Sequence, residues 1–179
     1  MGHSRDPRAD LGSLSRSPSG SLGKYAREVT DNSASAPSSI RIQRRIEWSD
    51  TDASGHWHNT AAFRMIEWAE TALFERLGIL DDVYGHLPRV HISADFKALL
   101  DHRDLIDITL AIAEVGTSSI TYDFRIEREG HECVTATVVT ALRTPEGHRR
   151  EWPVEYRDLL LSAGPQAPEL LTIARQETK

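Results

Sequence analysis

One stretch of this chain concentrates residue types that can do chemistry. It runs Glu47-Trp48-Ser49-Asp50-Thr51-Asp52-Ala53-Ser54-Gly55-His56-Trp57-His58-Asn59, with two aspartates, a glycine and two histidines in sequence just ahead of a helical pattern. Loops that feed a helix N-terminus are natural anion sites, because the first backbone N–H groups have no intrahelical partner. A carboxylate held near such groups could attack a carbonyl whose oxygen those N–H groups stabilise, which is the geometry acyl transfer requires. His56 and His58 beside Asp50 and Asp52 also carry metal-ligand chemistry. The sequence singles out no third, distant ligand, so no metal is expected. Cys133 is the one cysteine, in the apolar run Cys133-Val134-Thr135-Ala136. It reads as a small buried hydrophobe, with neither a disulfide nor a thiol nucleophile implied.

The elements that must position this stretch follow from hydrophobic periodicity. Ile40, Ile42, Ile46 and Trp48 fall on one parity, interrupted by Arg44, and predict a strand with one covered face. Asn59 to Gly78 predicts a long helix, capped by Asn59 or Thr60 and ended by Gly78. Its wide apolar face, Ala62, Met65, Ile66, Ala69, Leu73 and Leu77, implies wrapping by a sheet. Four strands follow. Val90, Ile92, Ala94, Phe96 and Ala98 alternate with polar neighbours, as do Ile106, Ile108, Leu110 and Ile112, and then Ile120, Tyr122, Phe124 and Ile126. The run from Cys133 to Leu142 is apolar or Thr on both parities and predicts a strand covered on both faces. Val154 to Ala163 predicts a short helix.

Strand, long helix and four antiparallel strands make an α+β chain, a five-stranded sheet curled round one central helix. The domain is expected over residues 39–164. Residues 1–38, rich in Ser, Pro, Gly and Arg without apolar period, are expected to be a disordered tail. A leader peptide and a misplaced start are both open readings of it. Residues 165–179 read as a frayed C-terminal tail. An open sheet leaves edges that pairing of two copies would cover, so a homodimer is expected.

Composition narrows the function classes. The chain has 179 residues, enough for one domain with a sizeable core. The formal net charge of -6 offers no broad basic surface for a nucleic-acid backbone. No apolar stretch has the length of a signal peptide core or a membrane span, so the reading is a cytoplasmic protein without a membrane partner.

The segment Arg45-Ile46-Glu47-Trp48-Ser49-Asp50-Thr51-Asp52-Ala53-Ser54-Gly55-His56 resembles the opening signature of the 4-hydroxybenzoyl-CoA thioesterase family and its bacterial acyl-CoA thioesterase relatives. The shared pattern is an aromatic, a spacer, then D-x-D-x-x-G followed by His or an apolar residue. The similarity continues through Glu67 and the four-strand run to Pro153-Val154-Glu155-Tyr156-Arg157, everything except the tails. The resemblance implies a hot-dog fold and hydrolysis of an acyl-CoA or acyl-carrier-protein thioester, without a cofactor, by a dimer or a dimer of dimers. It makes Asp52 the catalytic carboxylate, as nucleophile or as general base on water. It makes the Asn59 backbone N–H the group that polarises the thioester carbonyl. Asp50 becomes a structural residue of the loop, Gly55 the residue that lets the loop turn close to the helix, and Glu67 an acid of the central helix.

His56 reads first as loop-stabilising, and His58 as lining the pocket beside the helix start. With Gly55 and Glu67 they form the expected substrate-binding set. Lys97, His102 and Arg103 are the candidates for a phosphate or carrier contact. Two departures stand out: Ala62 where the family often has tyrosine, and Gly116-Thr117-Ser118 where benzoyl-CoA members carry a basic cluster. The competing classes are a hot-dog dehydratase or hydratase, whose histidine motifs are missing here, and a non-catalytic acyl-thioester-binding protein.

Overall fold

The computed structural model describes residues 35–167 and 172–173. The tail expected over residues 1–38 falls outside these up to residue 34, as does most of the segment after 167. The first strand, β1 (Ser39–Arg45), leads through a short 3-10 turn at Trp48–Asp50 and an irregular loop to the long helix α1 (Ala61–Leu77). A one-turn helix α2 (Leu80–Val83) follows. The strands β2 (Arg89–Phe96), β3 (Leu105–Val115), β4 (Ser119–Arg128) and β5 (His131–Ala141) come next, and then the helix α3 (Val154–Ser162).

The sheet order is β2-β5-β4-β3-β1, with all neighbouring pairs antiparallel. A two-residue strand, β6 (Thr172–Ile173), runs parallel to β1 on its outer side, against Ile42 and Gln43. Gln166 Oε1 also accepts the Arg41 backbone N–H at 2.9 Å. The segment read as a frayed tail therefore adds to the sheet, because β1 presents an otherwise unpaired row of backbone groups.

One face of the sheet packs on α1, as the patterns of β3 and β4 predict. Ile106, Ile108, Leu110 and Ile112 are buried, as are Ile120, Tyr122, Phe124 and Ile126, and they enclose Met65, Ile66, Ala69 and Leu73. Gly78 ends α1 in the left-handed conformation, φ 69°, donating to the carbonyls of Phe74 and Glu75. Glycine meets this backbone without a Cβ penalty. Among the described residues no helix is long and apolar enough to cross a membrane.

Three local expectations are corrected. β1 stops at Arg45, and Trp48, expected on its covered face, stands 72% exposed in the 3-10 turn. β5 is covered chiefly on one face, with Thr137 on the other exposed. β2 keeps much of its apolar alternation uncovered: Val90 is 54% and Phe96 47% exposed, because α1 packs over β1 and β3 rather than over this edge strand, where Trp57 lies against Phe96.

Candidate active site

The loop between β1 and α1 is built on a buried brace. Asp50 is 1% exposed and accepts the Glu47 backbone N–H at 3.0 Å on Oδ2. Its other oxygen meets Arg64 Nη2 of α1 at 2.6 Å. Arg44 approaches Asp50 Oδ2 at 3.7 Å while its guanidinium lies 3.3 Å over the Trp68 ring. This explains the arginine that interrupts the apolar parity of β1. Its planar cation takes the core position by stacking on an indole and pairing with a buried carboxylate.

From that brace the chain makes a tight reversal. His58 N–H donates to the Asp50 carbonyl at 2.8 Å and Asp52 N–H to the His56 carbonyl at 3.0 Å. Asp52 Oδ1 accepts the Ser54 N–H at 2.8 Å and the Ser54 hydroxyl at 2.5 Å. Such an aspartate turn fixes the carboxylate without burying it. The two Ser54 bonds, with smaller help from the charges of His58 and His56, hold the Asp52 carboxyl below its ordinary value of 3.8. Its Oδ2 has no partner among the described residues. Gly55 sits at φ 83°, and a Cβ there would meet nothing within 4 Å. Glycine is therefore required by the backbone angle and not by crowding.

Neither Asn59 nor Thr60 caps α1 with its side chain. His58 instead holds the residue ahead of the helix, its Nδ1 accepting the Thr60 N–H at 3.2 Å beside the Thr60 hydroxyl at 2.6 Å. The Ala61 N–H bonds to the His58 carbonyl. That leaves the Asn59 N–H without a partner among the described residues, at the end of the helix where the dipole is positive. His56 is anchored elsewhere: its Nδ1 lies 2.7 Å from Asp101 Oδ1. With the Trp57 N–H bonded to the Leu100 carbonyl, this ties the loop to the chain beyond β2.

The remaining expected residues separate into two places. Arg103 is exposed in the turn 101–104, two residues from the partner of His56, with φ 76°. Lys97 is engaged by Glu132 at 2.5 Å. Glu67 projects from α1 toward Arg89 at 3.3 Å and lines a second feature, an open groove of about 700 Å³. Its walls come from α1, α2, the segment before β2 and the loop after β5, with Trp68, Phe74, Leu80, Leu87 and Arg143 among them.

At the groove's floor Arg89 bonds Glu70 at 2.9 Å. Burial pushes the Glu70 carboxyl up, partly offset by Arg89, and pushes the neighbouring Tyr122 hydroxyl well up as well. Neither the groove nor this cluster was read from the sequence. Glu70, set among the apolar positions Ile66, Ala69 and Leu73, was the available signal. Ser54, two residues after Asp52, was another. The described residues bring no three His, Cys, Asp or Glu side chains into a metal-binding group.

Residues 46–158 match the family model described as the thioesterase-like superfamily. None of the curated proteins matches the sequence. Among solved structures, a 1,4-dihydroxy-2-naphthoyl-CoA thioesterase from Synechocystis is 20% identical, with a TM-score of 0.60 over 68% of this chain and 95% of that one. A gentisyl-coenzyme A thioesterase is 20% identical, with a TM-score of 0.60 over 65% and 98%. A 4-hydroxybenzoyl-CoA thioesterase, carrying an aspartate-to-asparagine substitution and complexed with 4-hydroxybenzoyl-CoA, is 20% identical, with a TM-score of 0.61 over 68% and 98%. At these identities the structural likeness speaks for the fold, which is the hot-dog fold.

Proposed function

The chain belongs to the thioesterase-like superfamily, and on that premise we propose that it is an acyl-CoA thioesterase whose hydrolytic step is carried by Asp52 and the Asn59 backbone N–H. The observation that carries the reading is their shared setting. One tight loop presents an exposed, ionised carboxylate with one oxygen that has no partner among the described residues, and ends in an N–H likewise unpartnered among them at the start of α1. The thioester carbonyl oxygen would accept the Asn59 N–H, and the helix dipole would stabilise the negative charge that develops on it.

Asp52 Oδ2 then attacks the carbonyl carbon, the C–S bond breaks, and the thiolate leaves and takes a proton from water. The resulting anhydride is hydrolysed to free acid and the restored carboxylate. In the alternative route the same Oδ2 acts as general base on a water that attacks the carbonyl carbon directly. Single turnover in 18O-labelled water separates the two, because the nucleophilic route can leave label in Asp52.

Turnover is tested by thiol release from a panel of aliphatic and aromatic acyl-CoAs, beside Asp52→Asn. We expect release by the wild type, reduced about a thousandfold in the variant, about 4 kcal/mol of transition-state stabilisation. Release that persists in the variant would remove Asp52 from the mechanism. No release from any acyl-CoA would turn the reading toward a carrier-protein substrate or a binding protein.

The assembly proposed is a homodimer joined through β2, supported by that strand's open edge and its uncovered Val90 and Phe96.

A further inference from the structure

The arginines beside the catalytic loop are not all paired with carboxylates. Glu47 and Asp50 are met by Arg44, and Asp50 also by Arg64. Asp101 is met by His56, and Asp104 by Arg128. Glu47, Asp50 and Asp104 thus each face an arginine, and Asp101 faces the His56 ring. Two guanidinium groups are left over. Arg45 donates only to the Arg103 carbonyl, at 2.8 Å, and the Arg103 guanidinium has no partner among the described residues. In a chain of net charge -6 these are two arginines with no carboxylate partner among the described residues.

Two further observations fall on the same patch. Trp48 is 72% exposed, touched edge-on by His102 with ring centroids 6.2 Å apart. An indole so open is a platform for a flat ring. Arg103 also holds φ 76°, a left-handed angle that costs a non-glycine residue and that asparagine or glycine would adopt more readily. Retaining a long cationic side chain there sets its guanidinium at the apex of the turn.

We propose that Trp48, His102, Arg45 and Arg103 form the subsite for the nucleotide end of the coenzyme A thioester. The adenine ring lies on Trp48, and the phosphates are held by the guanidinium groups of Arg45 and Arg103. The reach is adequate. From Asp52 the path crosses the loop to His56, the bridge to Asp101 and two residues to Arg103. Each step is about 5 Å, which together with an extended arginine side chain gives roughly 15 to 20 Å. That is the scale of the extended arm between a thioester sulfur and the diphosphate. It also resolves the missing basic cluster at Gly116-Thr117-Ser118, since the cations stand at a different turn.

The inference rests on the thioesterase reading, and the experiment separates the two. Turnover of one acyl group is measured as its coenzyme A thioester and as its N-acetylcysteamine thioester, which lacks the nucleotide. The proteins compared are wild type, Arg103→Gly, Arg45→Ala and Trp48→Ala. Arg103→Gly suits the left-handed backbone, so it removes the cation without straining the turn. We expect KM for the coenzyme A thioester to rise about tenfold in each arginine variant, with the N-acetylcysteamine thioester unaffected. Adenosine 3′,5′-bisphosphate should inhibit the wild type competitively and the variants weakly.

Equal losses on both thioesters, or no loss on either, would overturn the subsite while leaving the thioesterase intact. If the wild type turned over neither thioester, calorimetric binding of adenosine 3′,5′-bisphosphate would still decide. Binding weakened by Arg103→Gly supports the subsite, and no binding to the wild type overturns it.

Discussion

The sharpest stability prediction concerns Asp50, which contacts no substrate in the proposed mechanism yet holds the catalytic loop. Its carboxylate is 1% exposed and meets Arg64 at 2.6 Å, Arg44 at 3.7 Å and the Glu47 N–H at 3.0 Å. Removing one partner of a buried pair costs about 3–5 kcal/mol, because the other charge stays buried and unpaired. The two arginines do not share that cost equally. The Arg64 side chain is 46% exposed and can turn to water, whereas that of Arg44 is 13% exposed and stacked on Trp68.

Asp50→Ala should therefore cost about 4 kcal/mol, since it also strands the Glu47 N–H. Asp50→Asn, which keeps an acceptor for that N–H, should cost about 2 kcal/mol. For a domain of this size each kcal/mol moves Tm by roughly 3–6 °C, so the alanine variant should melt more than about 10 °C below wild type. Urea unfolding and thermal melts measure this directly. A second arm replaces Arg64 with Met. Because Arg64 is half exposed, the coupling between it and Asp50 should be about 1 kcal/mol, less than the single effect of Asp50→Ala. If Asp50→Ala cost less than about 1 kcal/mol, the brace would be an ornament of the loop and the argument from burial would fail.

Four other outcomes follow from the same geometry. Asp52 is held below its ordinary value, so the acid limb of kcat/KM should lie below pH 3.8; Ser54→Ala, which removes the hydroxyl donor, should move that limb upward in a pH–rate profile. Glu70 is pushed up by burial. Its contribution is therefore most favourable at low pH and is lost as pH rises through its folded value, so Arg89→Met should destabilise more at about pH 8 than at about pH 5 in urea unfolding. Gly55→Ala should cost about 1 kcal/mol through its φ of 83° and lower kcat/KM more than stability, with Gly55→Asn recovering part of both. Sedimentation should give about twice the chain mass of 20.0 kDa, and Val90→Lys with Phe96→Lys should shift the protein to monomer.

The sequence was most informative where a single period governed many residues. β3, β4 and α1 repeat apolar residues at 2 or 3.6 residue spacing, and burial in one chain satisfies that pattern. Prediction slipped where the deciding partner lay elsewhere. The alternation of β2 is real, but its apolar positions stay open because the strand is an edge. Trp48 fell on the right parity for β1, yet the Glu47–Asp50 hydrogen bond had already turned the chain.

The site divides in the same way. Asp52, Gly55, His56, His58 and Asn59 are neighbours in sequence, so their grouping in one loop was legible. The hold of the His58 ring on Thr60 ahead of α1 depends on a side-chain rotamer that no spacing encodes. The groove beneath Glu67 and Arg89 depends on segments some 80 residues apart, from α1 to the loop after β5.

The small parallel strand β6 has a consequence for assembly. A twisted sheet with two free rims can keep recruiting copies, rim to opposite rim, and such head-to-tail addition does not close unless it bends into a ring. Here one rim, along Ile42 and Gln43, is already occupied by the chain's own Thr172–Ile173. Among the described residues the opposite rim, β2, is 8 residues long, whereas β6 on this side is 2. A chain with one usable rim can join another only through like surfaces, and that union consumes both. In the proposed dimer through β2, the outer rims would be the two-residue β6 strands, too short to template a further copy.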